Sequence, residues 1–152
     1  MKTADVIKYY SREDVRNRIF ECAKQREVII RYRDKVGRRP NKLSSPAEIL
    51  NYSKDGATSF HGTLERWSDP LKISDNQREL NKLRIGWDLV LDVDGTHFEF
   101  SRIAAKNIVK AIKLHGIKNV FVKFSGRGGF HIGIPFESFP KSIGWKTRGL
   151  FY

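Results

Sequence analysis

Apolar residues recur every three or four positions over 11–25, where Val15, Ile19, Cys22 and Ala23 would share one side of a helix. Ser11-Arg12-Glu13-Asp14 resembles a capping box with Asp in place of the usual Glu, so the helix is expected to open there. The period then changes. Residues 27–32 are apolar and β-branched, which predicts a strand, and Gly37-Arg38-Arg39-Pro40-Asn41 predicts the loop after it. A short helix follows over 46–54, with Pro46 at its first position, and Asp55-Gly56 turns the chain out of it. Residues 58–67 show no clear period. The polar stretch 71–84 reads as irregular, with one exposed helix over 75–83.

The pattern sharpens in the second half. Residues 87–93 form an apolar strand ending in acid. A helix over 101–115 sets Ile103, Ala104, Ile108, Ala111 and Ile112 on one side, and Gly116 suits its left-handed cap. Residues 120–124 predict a strand parallel to 87–93, because a helix of crossover length joins them. Residues 130–134 lie beyond a glycine-rich turn and should pair as a hairpin. The expected fold is α/β (α+β): a mixed β-sheet flanked by helices and containing a β-α-β-β unit. By length the chain is one domain, 1–152. Trp145, Lys146, Arg148, Phe151 and Tyr152 end it without an obvious stop, so a longer protein is expected.

Charge adds the next constraint. A net charge of +12 favours a polyanionic partner, since each neutralised phosphate releases counterions. Eight basic residues fall within 24–42 against Glu27 and Asp34. Arg31, Arg33, Arg38 and Arg39, interleaved with Tyr32, suit nucleic-acid phosphates and a stacked base. The bland alternative is a solvated charged hairpin. Cys22 alone excludes an intrachain disulfide or a multi-cysteine zinc site, and its place in the helical stripe suggests core packing. No apolar run approaches membrane-helix length and no signal peptide opens the chain; a cytoplasmic (intracellular) protein without membrane contact is expected.

The candidate chemistry lies at two ends of one helix. Asp92 and Asp94 stand at i and i+2, a spacing that aims both carboxylates from one strand face and suits a divalent cation with oxygen ligands. Ser125-Gly126-Arg127-Gly128-Gly129-Phe130-His131 offers a hydroxyl, a guanidinium and backbone N–H groups in a bend, which suits phosphate. Together they describe a nucleotide site. Taken alone, Asp94-Gly95 is also an ordinary turn, and His131 an ordinary strand histidine. His97 reads as a solvated loop residue and His115 as a helix-end residue.

Two families share parts of this pattern. Leu91-Asp92-Val93-Asp94-Gly95-Thr96 resembles the opening motif of the haloacid dehalogenase phosphatases, in which the first Asp, here Asp92, is a nucleophile. That family needs a later strand-end lysine and a further acidic pair, and after His131 the sole acidic residue is Glu137. The Asp-x-Asp strand, one helix, then an apolar strand into Ser-Gly-Arg-Gly-Gly-Phe-His together resemble the small catalytic subunit of archaeal and eukaryotic DNA primases. Arg26-Glu27 before Ile30-Arg31-Tyr32, Tyr9-Tyr10, and the stretch from Phe60-His61 to Trp67 are similar to the same family, and the likeness extends to about Pro140.

That resemblance implies a primase-like core and nucleotidyl transfer: primer synthesis on a single-stranded DNA template from nucleoside triphosphates. It implies Mg2+ or Mn2+ on Asp92 and Asp94, and triphosphate contacts from Ser125, Arg127 and His131. A primase large subunit or a second polypeptide would be the partner. The family's usual fourth-position arginine is Gly128 here, and its third metal-binding acid has no counterpart. Three forms stay open: part of a larger primase, a chain completed by another polypeptide, or a non-catalytic nucleotide- or nucleic-acid-binding module. The roles of Glu27 and His61 stay open too.

Overall fold

Three helices and a small sheet share the core of the first of two units, Met1–Ile85. One domain is what the length suggests; the chain's contacts gather into this unit and a second, Gly86–Tyr152. The computed structural model describes residues 2–126 and 128–139, so Arg127 and the tail with Trp145, Lys146, Arg148, Phe151 and Tyr152 lie outside the described residues.

Helix α1 (Thr3–Tyr10) escapes the sequence reading, yet it supplies Val6 and Tyr10 to the core. It also removes the expected capping box. Ser11 Oγ donates to the Lys8 carbonyl at 2.8 Å, closing α1, so α2 (Glu13–Ala23) starts from Arg12 without a side-chain cap. On α2, Val15, Ile19, Phe20 and Ala23 pack on the core. Cys22 is a correction: it is exposed. Phe20 fills the stripe from the other side.

Strand β1 (Val28–Tyr32) is central, with β2 (Lys35–Val36) and β3 (Ser59–Gly62) antiparallel on either side. Its β-branched run buries Val28 and Ile30 against Ile49 of α3 (Pro46–Lys54), whose bounds match expectation. Gly56 leaves α3 at φ +98°, a region in which a side chain would be strained. The untyped stretch holds β3 and β4 (Glu65–Trp67). Helix α4 (Gln77–Leu83) is capped by Asn76, which accepts from Arg78 and Glu79 N–H groups, and buries no residue. Strand β5 (Arg84–Trp87) pairs with β4, and Arg84 meets Glu65 at 2.6 Å over the Trp67 ring.

In the second unit, β6 (Leu89–Val93), α5 (Phe98–Leu114), β7 (Phe121–Phe124) and β8 (Phe130–Ile134) form the expected β-α-β-β order. Strands β6 and β7 run the same way, but they are not neighbours. β8 lies between them, antiparallel to both, because the tight turn after β7 sends the chain straight back. The sheet is therefore antiparallel, not mixed, and the small sheets with the five α-helices among the described residues make the fold α+β.

α5 begins three residues before the predicted start. Ser101 and Ala105 are its buried residues; Ile103 lies on the far side and is half exposed. Its end is a Schellman motif: Gly116, at φ +84°, donates to Lys113, and Ile117 donates to Ile112. Phe98 of α5 stacks against Phe124 and Phe130, so the helix covers the sheet face carrying Phe130, Ile132 and Ile134. The opposite face holds the candidate chemistry. Among the described residues no helix is long and apolar enough to cross a membrane.

Candidate functional site

Strand alternation turns His131 away from the helix-covered face, on which Ile132 is buried and Phe130 half-buried. The ladder sets Asp92 of β6 directly opposite His131 of β8, with Asp92 Oδ1 3.5 Å from His131 Nε2. That spacing is an ion pair only when the imidazole is protonated. Both side chains reach solvent, at 64% exposure for Asp92 and 38% for His131, so both are available to a ligand.

Asp94 follows the end of β6 and reaches the same segment. A Cβ on Gly129 would collide with the Asp94 carboxylate and stand 2.6 Å from the Val93 carbonyl. Glycine at 129 is thus required by close approach. The two carboxylates meet the run 129–131 from one side.

The turn before β8 is closed by its own serine. Ser125 N–H donates to the Gly129 carbonyl at 2.9 Å, and Gly129 N–H donates to Ser125 Oγ at 3.2 Å. Gly126 takes the left-handed conformation at φ +105° that this bend needs. Ser125 Oγ therefore accepts within the turn while its own O–H remains to donate outward. Arg127 lies outside the described residues.

The register adds a residue that the motif reading missed. Lys123 of β7 stands opposite His131, so Asp92, His131 and Lys123 form a row across three strands. Lys123 is exposed and makes no ion pair with a described residue. Counting back from His131 through a hairpin would have found it. Phe121, two residues earlier on the same face, lies over Gly133, where a Cβ would collide with its ring. One end of this face is thus apolar and the other charged.

Asp92 and Asp94 supply hard oxygen donors, the kind that Mg2+ and Mn2+ take. Among the described residues no group of three His, Cys, Asp or Glu could hold a metal ion. Two carboxylates suit a cation that keeps its waters and shares phosphate oxygens with a nucleotide, which is how Mg2+ is commonly held.

The four expected arginines all lie in the first unit. Arg31 lies on the opposite face of β1 from Tyr32. Arg33 has positive φ (52°), and its N–H donates to Thr58 Oγ1. Arg39 is engaged: its Nε and Nη2 donate to both carboxylate oxygens of Glu27, at 2.7 and 2.8 Å. That fork satisfies a Glu27 that is only 3% exposed and holds the guanidinium of Arg39 above its ordinary pKa. Arg26 latches the Cys22, Thr63 and Leu64 carbonyls. His61 Nε2 meets Ser59 Oγ at 2.8 Å on the exposed part of β3. In the second unit His97 packs edge-on against Phe100, and His115 is the C-cap of α5.

No known family's sequence profile matches the chain, and no solved structure matches it significantly. A stretch of 58 residues is 40% identical to the uncharacterized protein MJECS07 of Methanocaldococcus jannaschii. The stretch is 38% of this chain and 13% of that protein, so the chain spans a small part of the length of the curated relative it matches.

Proposed function

We propose that the second unit binds a metal–nucleoside triphosphate on the open face of its sheet, as the core of a primase-like nucleotidyltransferase acting on a single-stranded DNA template. The observation that carries this reading is the pairing of Asp92 with His131, which sets the acidic strand beside the strand that follows the serine turn. The reaction is attack of a primer 3′ hydroxyl oxygen on the α-phosphate. The new O–P bond replaces the bond to the β-phosphate oxygen, pyrophosphate leaves, and the hydroxyl proton passes to solvent.

Each side chain has a part in it. Asp92 and Asp94 would hold the divalent cations, which supply charge neutralisation at the attacking and leaving oxygens. Ser125 donates its free O–H to a phosphate oxygen, leaving its acceptor bond to Gly129 intact. His131 and Lys123 add donors on the same face, and positive charge beside two carboxylates lets the face take cation and polyanion together. By the resemblance, Arg127 would extend that set.

The second reading is a nucleotide-binding module without catalysis, favoured by the lack of a third acid beside Asp92 and Asp94 among the described residues. The phosphatase alternative requires Asp92 as nucleophile and predicts phosphate release from simple esters, abolished by Asp92→Asn.

The test is a calorimetric titration of a nucleoside triphosphate with Mn2+. His131→Ala and Lys123→Ala should each weaken binding about 10-fold, the worth of one charge-assisted contact. Wild-type affinity in both variants would remove the triphosphate from this face. Binding without primer extension would support the second reading.

A further inference from the structure

A cleft of about 500 Å3 in the first unit is lined by Ile30, Tyr32, Arg38, Asn41, Tyr52 and Leu71. The volume falls within the range of small-ligand sites. Its lining is mixed in a particular way. Ile30 and Leu71 give apolar surface, the two tyrosines give aromatic faces, Asn41 offers a side-chain amide, and Arg38 brings a cation.

Both tyrosines pack on the core, and the Tyr52 ring meets that of Phe60 at 6.4 Å, but neither is closed off by it. Both rings are partly exposed, and neither phenol makes a hydrogen bond with a described residue, although buried tyrosine hydroxyls ordinarily find one. Arg38 is exposed and makes no ion pair with a described residue, whereas Arg39 beside it is held by Glu27. Gly37 keeps the wall thin: a Cβ there would sit 3.2 Å from the Tyr32 ring and from the Ile30 carbonyl. Burial, then Tyr52 and Asp55, push the Tyr32 phenol above its usual range.

We propose that this cleft holds one unpaired nucleotide of single-stranded nucleic acid, its base against Tyr32 and Tyr52 and its phosphate on Arg38. Stacking on aromatic rings accepts any base, and the surrounding Lys24–Lys42 segment is strongly basic, which suits a polyanion. Base stacking also requires an unpaired strand. The site stands apart from the triphosphate reading, because every residue in it belongs to the first unit.

The test is fluorescence anisotropy with a labelled oligothymidylate in EDTA, so that no metal-dependent nucleotide binding contributes. Tyr52→Ala should weaken binding about 5- to 100-fold, the worth of one stacked base. Tyr52→Phe should retain it. Arg38→Ala, at an exposed position that folding does not need, should reduce the salt slope by about 1, whereas Arg31→Ala, on the other face of β1, should leave stacking intact. As a second measurement, a 5-iodouracil strand should photo-cross-link to Tyr32 or Tyr52, and the same sequence as a duplex should not. An unchanged slope in Arg38→Ala, or cross-links only elsewhere, would overturn the proposal. So would competition by free thymidine monophosphate as effective as the strand itself, since the site would then serve a mononucleotide.

Discussion

Asp92→Ala is expected to abolish Mn2+-dependent triphosphate binding and to lower any primer synthesis by about 10²–10³-fold or more, the scale seen when a preorganised electrostatic group is removed from a reacting centre. The variant should fold, because the Asp92 side chain is 64% exposed and its partner His131 can turn to water. Asp92→Asn is the more telling companion. It keeps the size and one acceptor oxygen but removes the charge, so a metal role predicts nearly the same loss, whereas simple hydrogen bonding to His131 predicts a mild one. Asp94→Ala should follow Asp92→Ala in metal affinity, since both carboxylates border the run 129–131. Triphosphate titration with and without Mn2+ separates the effects. Wild-type metal-dependent binding in both alanine variants would end the two-carboxylate reading.

Much of this arrangement was legible because local rules and tertiary packing agree there. The 46–54 helix, the Gly116 cap and the hairpin after the glycine turn all follow from residues that favour one backbone conformation. Other elements depend on long-range partners. Thr3–Tyr10 is short and weakly patterned, and its helix rests on burying Val6 and Tyr10 in the shared core. Its presence then takes the Ser11 hydroxyl away from the expected capping box. On α5, five apolar residues were placed together, but the helix begins earlier and packs through Ser101 and Ala105, which leaves Ile103 outside.

The candidate site shows the same division. Asp92, Asp94, Ser125 and His131 are close in sequence pattern, and the structure brings them onto one face. Lys123 was missed because nothing local marks it. The predicted hairpin already sets it opposite His131; that Asp92 joins the same row follows only from β8 inserting between β6 and β7, a topology that the expectation of adjacent parallel strands did not contain. The arginine-rich stretch is a different case: sequence marks its charge but not that Arg31 and Tyr32 take opposite faces of β1 or that Arg39 is held by Glu27. Arg39 departs furthest from that reading.

Arg39→Ala is therefore expected to act on stability before it acts on nucleic acid. Glu27 keeps 4% of its side-chain exposure, and both of its oxygens accept from the same guanidinium. Removing that partner strands a buried carboxylate, which costs about 3–5 kcal/mol in comparable pairs. Arg39 itself is 53% exposed, so water entering the gap should bring the loss toward the lower end of that range. For a unit of this size such a loss lowers the melting temperature by more than about 10 °C. Glu27→Gln should cost less, because the amide oxygen still accepts one N–H and no charge is left buried. Replacing both residues by methionine should recover most of the deficit, since the apolar pair carries no desolvation penalty. Thermal melts of the four proteins, followed by DNA binding well below each midpoint, separate the two roles. If Arg39→Ala melts with the wild type but loses affinity for single-stranded DNA, the guanidinium serves the ligand and Glu27 needs no partner. If it melts early and binds normally when folded, the Arg39–Glu27 pair is a clamp on the first unit, and Arg38, its free neighbour, is left as the arginine of that loop available to phosphate.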